Sequence, residues 1–153
     1  MAFKLSDNSL KKIVGIDSRL QDIVKHAIEV TSVDFGVTEG LRTLERQKQL
    51  VAEGKSQTLL SNHITGKAVD LVAYVDGKLS WEVDHYAEIA HAIRAAAIKY
   101  NTPIRWGAAW QIHDIRTFPG AMKSAHQQYL DQRRALGKNP FVDAPHFEIG
   151  TTA

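Results

Sequence analysis

The chain has 153 residues, of which 44% are hydrophobic and 24% are charged, and it contains no cysteine. This size and composition suit one domain with a hydrophobic core, and the lack of cysteine excludes disulfides, thiolate metal sites and cysteine nucleophiles. The formal net charge of +2 is too small to indicate a nucleic-acid partner, which usually requires clustered Lys and Arg.

The beginning of the sequence lacks the apolar run of a signal peptide, and no stretch approaches the ~20 consecutive apolar residues that span a bilayer. We therefore expect synthesis in the cytoplasm and no membrane insertion. A substrate outside the membrane would then require a separate release step.

The first half of the chain shows alternating helix and strand signals. Apolar residues at helical spacing predict a helix over residues 17–31, and a short apolar run predicts a strand over 33–37. Thr43 is a candidate N-cap of a second helix, which ends near Gly54. Further elements are a strand over 68–75, a turn at Asp76-Gly77 and a partner strand over 78–81.

The second half contains the clearest helix, predicted over residues 86–100 from its apolar face. Short strands follow at 104–106 and 147–149, with a polar helix over 121–136 between them. This mixed order favours an α+β fold with a small antiparallel sheet and flanking helices. No repeat or linker is apparent, so residues 1–153 are interpreted as a single domain.

Residues 61–70 read Ser-Asn-His-Ile-Thr-Gly-Lys-Ala-Val-Asp and combine two candidate metal ligands. Asp70 lies within an apolar strand, where a carboxylate is costly to bury unless it is paired or metal-bound. Gly66 permits a turn that would bring His63 and Asp70 together. Taken alone, however, a His and an Asp at this spacing are more often a surface loop and a capping residue.

Residues 143–148 read Asp-Ala-Pro-His-Phe-Glu and supply a third candidate, His146. A catalytic zinc ion typically takes three protein ligands and leaves one position for water, which His63, Asp70 and His146 would satisfy. Asp143 would then accept a proton from that water. A loop Asp and a core His explain this segment equally well by itself, but the two segments together make that explanation weaker.

The order of these motifs resembles that of the LAS/D-Ala-D-Ala metallopeptidases, which include carboxypeptidases, dipeptidases and phage L-alanyl-D-glutamate endopeptidases. Ser-x-His-x-x-Gly-x-Ala-x-Asp is followed much later by an acidic residue, two spacers and His. Residues 36–47 are similar to the family's arginine-containing motif, and residues 104–107 match its Trp-Gly element. The resemblance extends from about residue 35 to 149 and implies a hedgehog/DD-peptidase-like fold.

The resemblance implies that zinc is bound by His63, Asp70 and His146 and that Asp143 is the general base. It also places Arg42 where the family has an arginine that polarises the scissile carbonyl or binds a substrate carboxylate. Two further residues are candidates for substrate contact. Ser61 either donates a hydrogen bond to the substrate or supports a metal ligand, and Trp106 would line the substrate groove.

Asp in place of Glu at position 143, together with the short chain, is most similar to the phage endopeptidases. That implies a lysin that cuts the L-Ala–D-Glu bond of the peptidoglycan stem peptide, acting as a monomer after holin-type release from the host cytoplasm. The alternatives are a D-alanyl-D-alanine carboxypeptidase or dipeptidase, and a non-catalytic wall-binding module.

Two features depart from the family pattern. Ala109 stands where relatives often carry an acidic residue, so calcium is not assigned as a regulator. Residues 111–139 are interpreted as an insertion near the active-site cleft, which forms either a flap or wall-contacting surface, or a tolerated surface loop.

Overall fold

The computed structural model describes residues 3–55 and 62–150 of the chain. Within these ranges the helices are α1 (Asp7–Ile13), α2 (Ser18–Val30), α3 (Leu44–Ala52), α4 (Val83–Lys99) and α5 (Met122–Ala135). The strands are β1 (Asp34–Glu39), β2 (Ala68–Val75), β3 (Lys78–Ser80), β4 (Ile104–Trp106) and β5 (His146–Ile149). None of the helices in the described ranges has both the length and the apolar character needed to cross a lipid bilayer.

The strands form one antiparallel sheet in the order β1-β2-β5-β4, with β3 also paired to β2. The predicted turn between β2 and β3 is present, and both Asp76 and Gly77 adopt positive φ, as a two-residue hairpin requires. Strand β2 is central because it pairs with three neighbours. The predicted α+β class with a small antiparallel sheet is confirmed.

The hydrophobic core lies where α2 and α4 pack together and α4 covers the sheet. Fully buried side chains come from these two helices and from the central strands, and include Leu20, Ile23, Ile89, Ile93, Leu71 and Phe147. Because β2 and β5 lie at the middle of the sheet, any side chain at the start of these strands is held by a rigid support.

Helix α1 has no counterpart among the predicted elements. Its seven residues bury only Ser9 and Ile13, so the sequence shows no apolar stripe at helical spacing. The Ser6 hydroxyl caps the helix by accepting a hydrogen bond from Ser9 N, and the Ser9 hydroxyl in turn accepts one from Val37 N of β1. Tertiary contact with the sheet therefore stabilises this short helix.

The segment 111–139 contributes to the core and is not a free flap. Ile115 of a short 3₁₀ helix and Ala125 of α5 are fully buried, and Met122 is nearly so. Helix α5 packs against α4. The sequence of α5 did not predict this burial, because most of its residues are polar and only one narrow face carries the buried ones.

Tyr86 joins α4 to the sheet through its phenol, which donates to Ser80 O at 2.8 Å and accepts from Ala73 N at 3.2 Å. Its side chain is fully buried. The Tyr86→Phe variant is expected to lose about 1–3 kcal/mol of unfolding free energy, because a buried backbone N–H and a partly buried carbonyl lose their partner. Urea denaturation measures this loss, and the exposed Tyr100→Phe variant is the control. Equal stability of the two variants would contradict the assignment.

Candidate metal and catalytic site

Three predicted ligands meet at one point of the sheet. Asp70 of β2 and His146 of β5 are direct cross-strand partners, and His63 lies in the turn that precedes β2. His63 Nε2, Asp70 Oδ1 and His146 Nδ1 lie 3.2 Å from one another in all three pairings. Both imidazoles are buried, whereas Asp70 is partly exposed. This cluster could hold a metal ion.

The turn before β2 is shaped by Gly66, which adopts a φ of +75°. The Gly66 carbonyl accepts a hydrogen bond from Asp17 N, and its own N–H donates to His63 O. A side chain at this position would be strained by the left-handed backbone and would crowd the backbone of Gly15. The glycine thus brings His63 back toward Asp70, as the sequence predicted.

Each imidazole is oriented by a hydrogen bond on the side away from the cluster. His63 Nδ1 lies 2.8 Å from Gly40 O, and His146 Nε2 lies 2.7 Å from Glu148 Oε1. Because both outer nitrogens face acceptors, they carry the proton, and the inner nitrogens present lone pairs to the cluster when the rings are neutral. This tautomer pattern is the one a metal site requires.

Glu148 is a functional candidate that the sequence analysis did not select. Besides His146, it accepts a hydrogen bond from Asn62 Nδ2 at 2.8 Å, and Arg105 is its cross-strand partner on β4. Its spacing from His146 could have indicated it. Residues two apart in a strand share a face, so Glu148 lies on the same face of β5 as His146.

The protonation states of Asp70 and His146 depend on each other. Burial by itself raises the pKa of Asp70, but hydrogen bonds from His146 and His63 outweigh it and hold that pKa well below its usual range. Burial lowers the pKa of His146, but Asp70 and Glu148 outweigh it and raise that pKa to about 10. In the absence of a metal, a proton therefore stays on His146, and a metal ion must displace it.

Arg42 lies against the cluster on the Asp70 side and is buried. Its guanidinium forms two hydrogen bonds with Glu39, at 2.7 and 2.9 Å, and one with Gln47 at 2.6 Å. Nη2 also lies 3.4 Å from Asp70 Oδ2. The arginine thus brings a permanent positive charge beside the ligands in a fixed orientation.

Asp143 is positioned by the Trp-Gly element, Trp106 and Gly107, at the end of β4. Asp143 N donates to Gly107 O at 2.8 Å, Gly107 N donates to His146 O at 2.8 Å, and Trp106 Nε1 donates to Ala144 O at 2.8 Å. A Cβ atom at Gly107 would lie 2.1 Å from the Asp143 carbonyl oxygen, so only glycine permits this approach. Burial, and then the charge of Asp70, raise the pKa of the Asp143 carboxyl.

Comparison with known proteins identifies a family for the chain. Residues 1–149 match the family model described as phage L-alanyl-D-glutamate peptidase.

The chain belongs to the phage L-alanyl-D-glutamate peptidase family.

Among the relatives of this family is the L-alanyl-D-glutamate peptidase of Escherichia phage T5, which is 32% identical over 114 residues. That match covers 72% of this chain and 83% of the phage T5 protein. The crystal structure of the Serratia marcescens L-Ala D-Glu endopeptidase ChiX is similar at a TM-score of 0.71 and 34% identity. The match covers 97% of this chain and 90% of the ChiX chain.

One predicted substrate contact in this family member is wrong. Trp106 is fully buried and stacks on Phe147 behind the sheet, with ring centroids 6.3 Å apart, so it cannot line a groove. Trp110 is partly exposed and its ring lies 5.3 Å from that of His146. Trp110 therefore takes the position beside the cluster, while Ser61 lies outside the described residues.

Proposed function

We propose that the protein is a zinc-dependent peptidoglycan peptidase that hydrolyses the L-alanyl-D-glutamate bond of the stem peptide, as a phage lysin. The observation that carries this proposal is the convergence of His63, Asp70 and His146 on one centre beside Asp143. Membership of the phage L-alanyl-D-glutamate peptidase family supports the choice of bond.

The cluster fits zinc in both chemistry and spacing. Two imidazole nitrogens and one carboxylate oxygen, with no thiolate, form a common ligand set of catalytic zinc. Ligands of a tetrahedral ion at its usual bond lengths lie about 3.3 Å from one another, and the three ligand atoms here are separated by 3.2 Å. When bound, zinc supplies acidification of a water molecule and polarisation of a carbonyl.

Asp143 accepts the proton of the attacking water and passes it to the leaving amine. Its raised pKa suits this role, because a base whose pKa lies closer to the working pH can both take up and release the proton. The backbone hydrogen bond to Gly107 holds the residue beside the cluster.

Arg42 stabilises the negative charge that develops on the carbonyl oxygen. Glu39 and Gln47 hold the guanidinium in place, so little reorganisation is needed as the charge forms. Ser61 is retained as a proposed substrate contact, and Trp110 is proposed to form one wall of the groove.

The Glu148→Gln variant is expected to bind zinc about tenfold more weakly, within the range of about 10–100-fold found when such partners of metal-bound histidines are removed. Loss of the carboxylate makes His146 less basic and less well oriented. Competition titration with a chromophoric chelator measures the affinity, and Glu29→Gln on the exposed face of α2 is the control. Unchanged affinity in Glu148→Gln would show that this contact does not support a metal ligand.

Digestion of purified sacculi, followed by mass spectrometry of the released muropeptides, tests the proposed bond. New peptides with an N-terminal D-Glu are the expected result. Released D-Ala would instead indicate a D-alanyl-D-alanine carboxypeptidase or dipeptidase, and binding without any released peptide would indicate a wall-binding module. The monomeric state and holin-type release from the host cytoplasm stay predictions.

A further inference from the structure

The chain between α5 and Asp143, the proposed general base, has no regular secondary structure. The carboxylate of Asp143 must nevertheless be placed accurately for proton transfer. Gly137 N and Lys138 N donate to the end of α5. Beyond them, hydrogen bonds tie this segment, residues 137–143, to the rest of the domain at three points, which are Asn139, Phe141 and Asp143. The tie at Phe141 differs from the other two because a single side chain binds both of its backbone groups.

That side chain is Tyr129 of α5, which is 7% exposed. Its hydroxyl donates to Phe141 O at 2.9 Å and accepts from Phe141 N at 3.2 Å. Since both polar groups of one residue are bound by one rigid phenol, the backbone of Phe141 is fixed in position and in orientation.

A displacement of Phe141 would reach the reaction centre by two routes. Along the chain, Asp143 follows two residues later. Through the side chains, the Phe141 ring stacks on Trp110 with centroids 6.4 Å apart, and the Trp110 ring lies 5.3 Å from that of His146. The position of Phe141 thus affects the proposed base and also Trp110, the aromatic side chain beside His146.

We propose that Tyr129 is a positioning residue of the reaction, whose hydroxyl fixes Phe141 and thereby holds Asp143 and Trp110 in their working positions. This inference rests on the proposed function, in which Asp143 is the general base. In this proposal α5 has a structural role, because the helix packs on α4 and supports the loop that carries the base.

The Tyr129→Phe variant removes both hydrogen bonds and keeps the buried ring. A base must lie within hydrogen-bond reach of its proton, and a misplacement of about 1 Å can cost about 100-fold in rate. We expect kcat on a soluble disaccharide-tripeptide muropeptide to fall by about tenfold. KM should change less than kcat, because Trp110 is only one wall of the proposed groove. The zinc content should remain unchanged, because the imidazole ligands keep their own hydrogen bonds to Gly40 and Glu148.

Tyr86→Phe is a matched control for this experiment. Its hydroxyl also donates to one backbone carbonyl and accepts from one backbone N–H, but it lies between α4 and the strands β2 and β3. Both variants should lose similar unfolding free energy in urea, and circular dichroism at the assay temperature checks that both are folded. Only Tyr129→Phe should lose kcat.

Parallel assay of Asp143→Asn separates failure of this inference from failure of the proposed function. An inactive Asp143→Asn variant beside a fully active Tyr129→Phe variant would overturn the positioning role alone. A fully active Asp143→Asn variant would overturn the proposed base, and with it the reason given for Tyr129.

Discussion

The Asp143→Asn variant is expected to hydrolyse stem peptides about 10²–10⁴-fold more slowly than the native chain while still binding zinc. Asparagine has nearly the same shape as aspartate but accepts no proton at neutral pH. Because burial and the charge of Asp70 raise the pKa of Asp143, the ionised carboxylate opposes folding above its ordinary pKa. Its removal should therefore leave the unfolding free energy at neutral pH unchanged or slightly higher.

Activity on a soluble muropeptide, zinc content by elemental analysis and urea denaturation together test this result. The His63→Ala variant is the companion, and it should lose zinc as well as activity because one ligand is missing. Full activity of Asp143→Asn would refute the mechanism, whereas loss of zinc in that variant would mean that Asp143 supports the metal site.

The Gly107→Ala variant should lose about 100-fold in activity, because a misplacement of about 1 Å at the reaction centre has this cost. The new Cβ would lie 2.1 Å from the Asp143 carbonyl oxygen and 3.0 Å from His146 Cβ. Neither contact can be relieved by rotation of a flexible side chain, so the backbone that carries base and ligand must move. Such overpacking also costs about 1–3 kcal/mol of unfolding free energy.

Gly36→Ala in β1 provides the control for an added methyl group in the sheet. Its Cβ would meet the side chains of Tyr74 and Ser9 at 3.1 and 3.3 Å, so it should lower stability without an effect on kcat. Native-like kcat in Gly107→Ala would show that the Trp-Gly element does not determine the position of Asp143.

Local sequence determined most of the secondary structure. The apolar face of α4 was sufficient because burial of one face decides that helix. Strand β2 was predicted from its apolar residues, and the structure buries residues on both of its faces. Thr43 caps α3 as predicted, since its hydroxyl accepts from Arg46 N three residues later. A contact between residues three or four positions apart in the sequence can be predicted without knowledge of the fold.

The three candidate metal ligands were also predicted from the sequence, but by resemblance between ordered motifs more than by spacing. His63 and His146 are 83 residues apart, and no local pattern relates them. What brings them together is the pairing of β2 with β5, in which Asp70 faces His146.

Only the tertiary structure decided which neighbouring side chains support this site. Trp106 and Trp110 both lie near Gly107 in the sequence. The direction of β4 buries Trp106, whereas Trp110 lies beside His146. The contacts of Glu148 and Tyr129 likewise depend on how strands pair and how α5 packs. The sequence therefore determined most of the elements and the candidate reactive groups, whereas the orientation of those groups comes from long-range packing that no local pattern encodes.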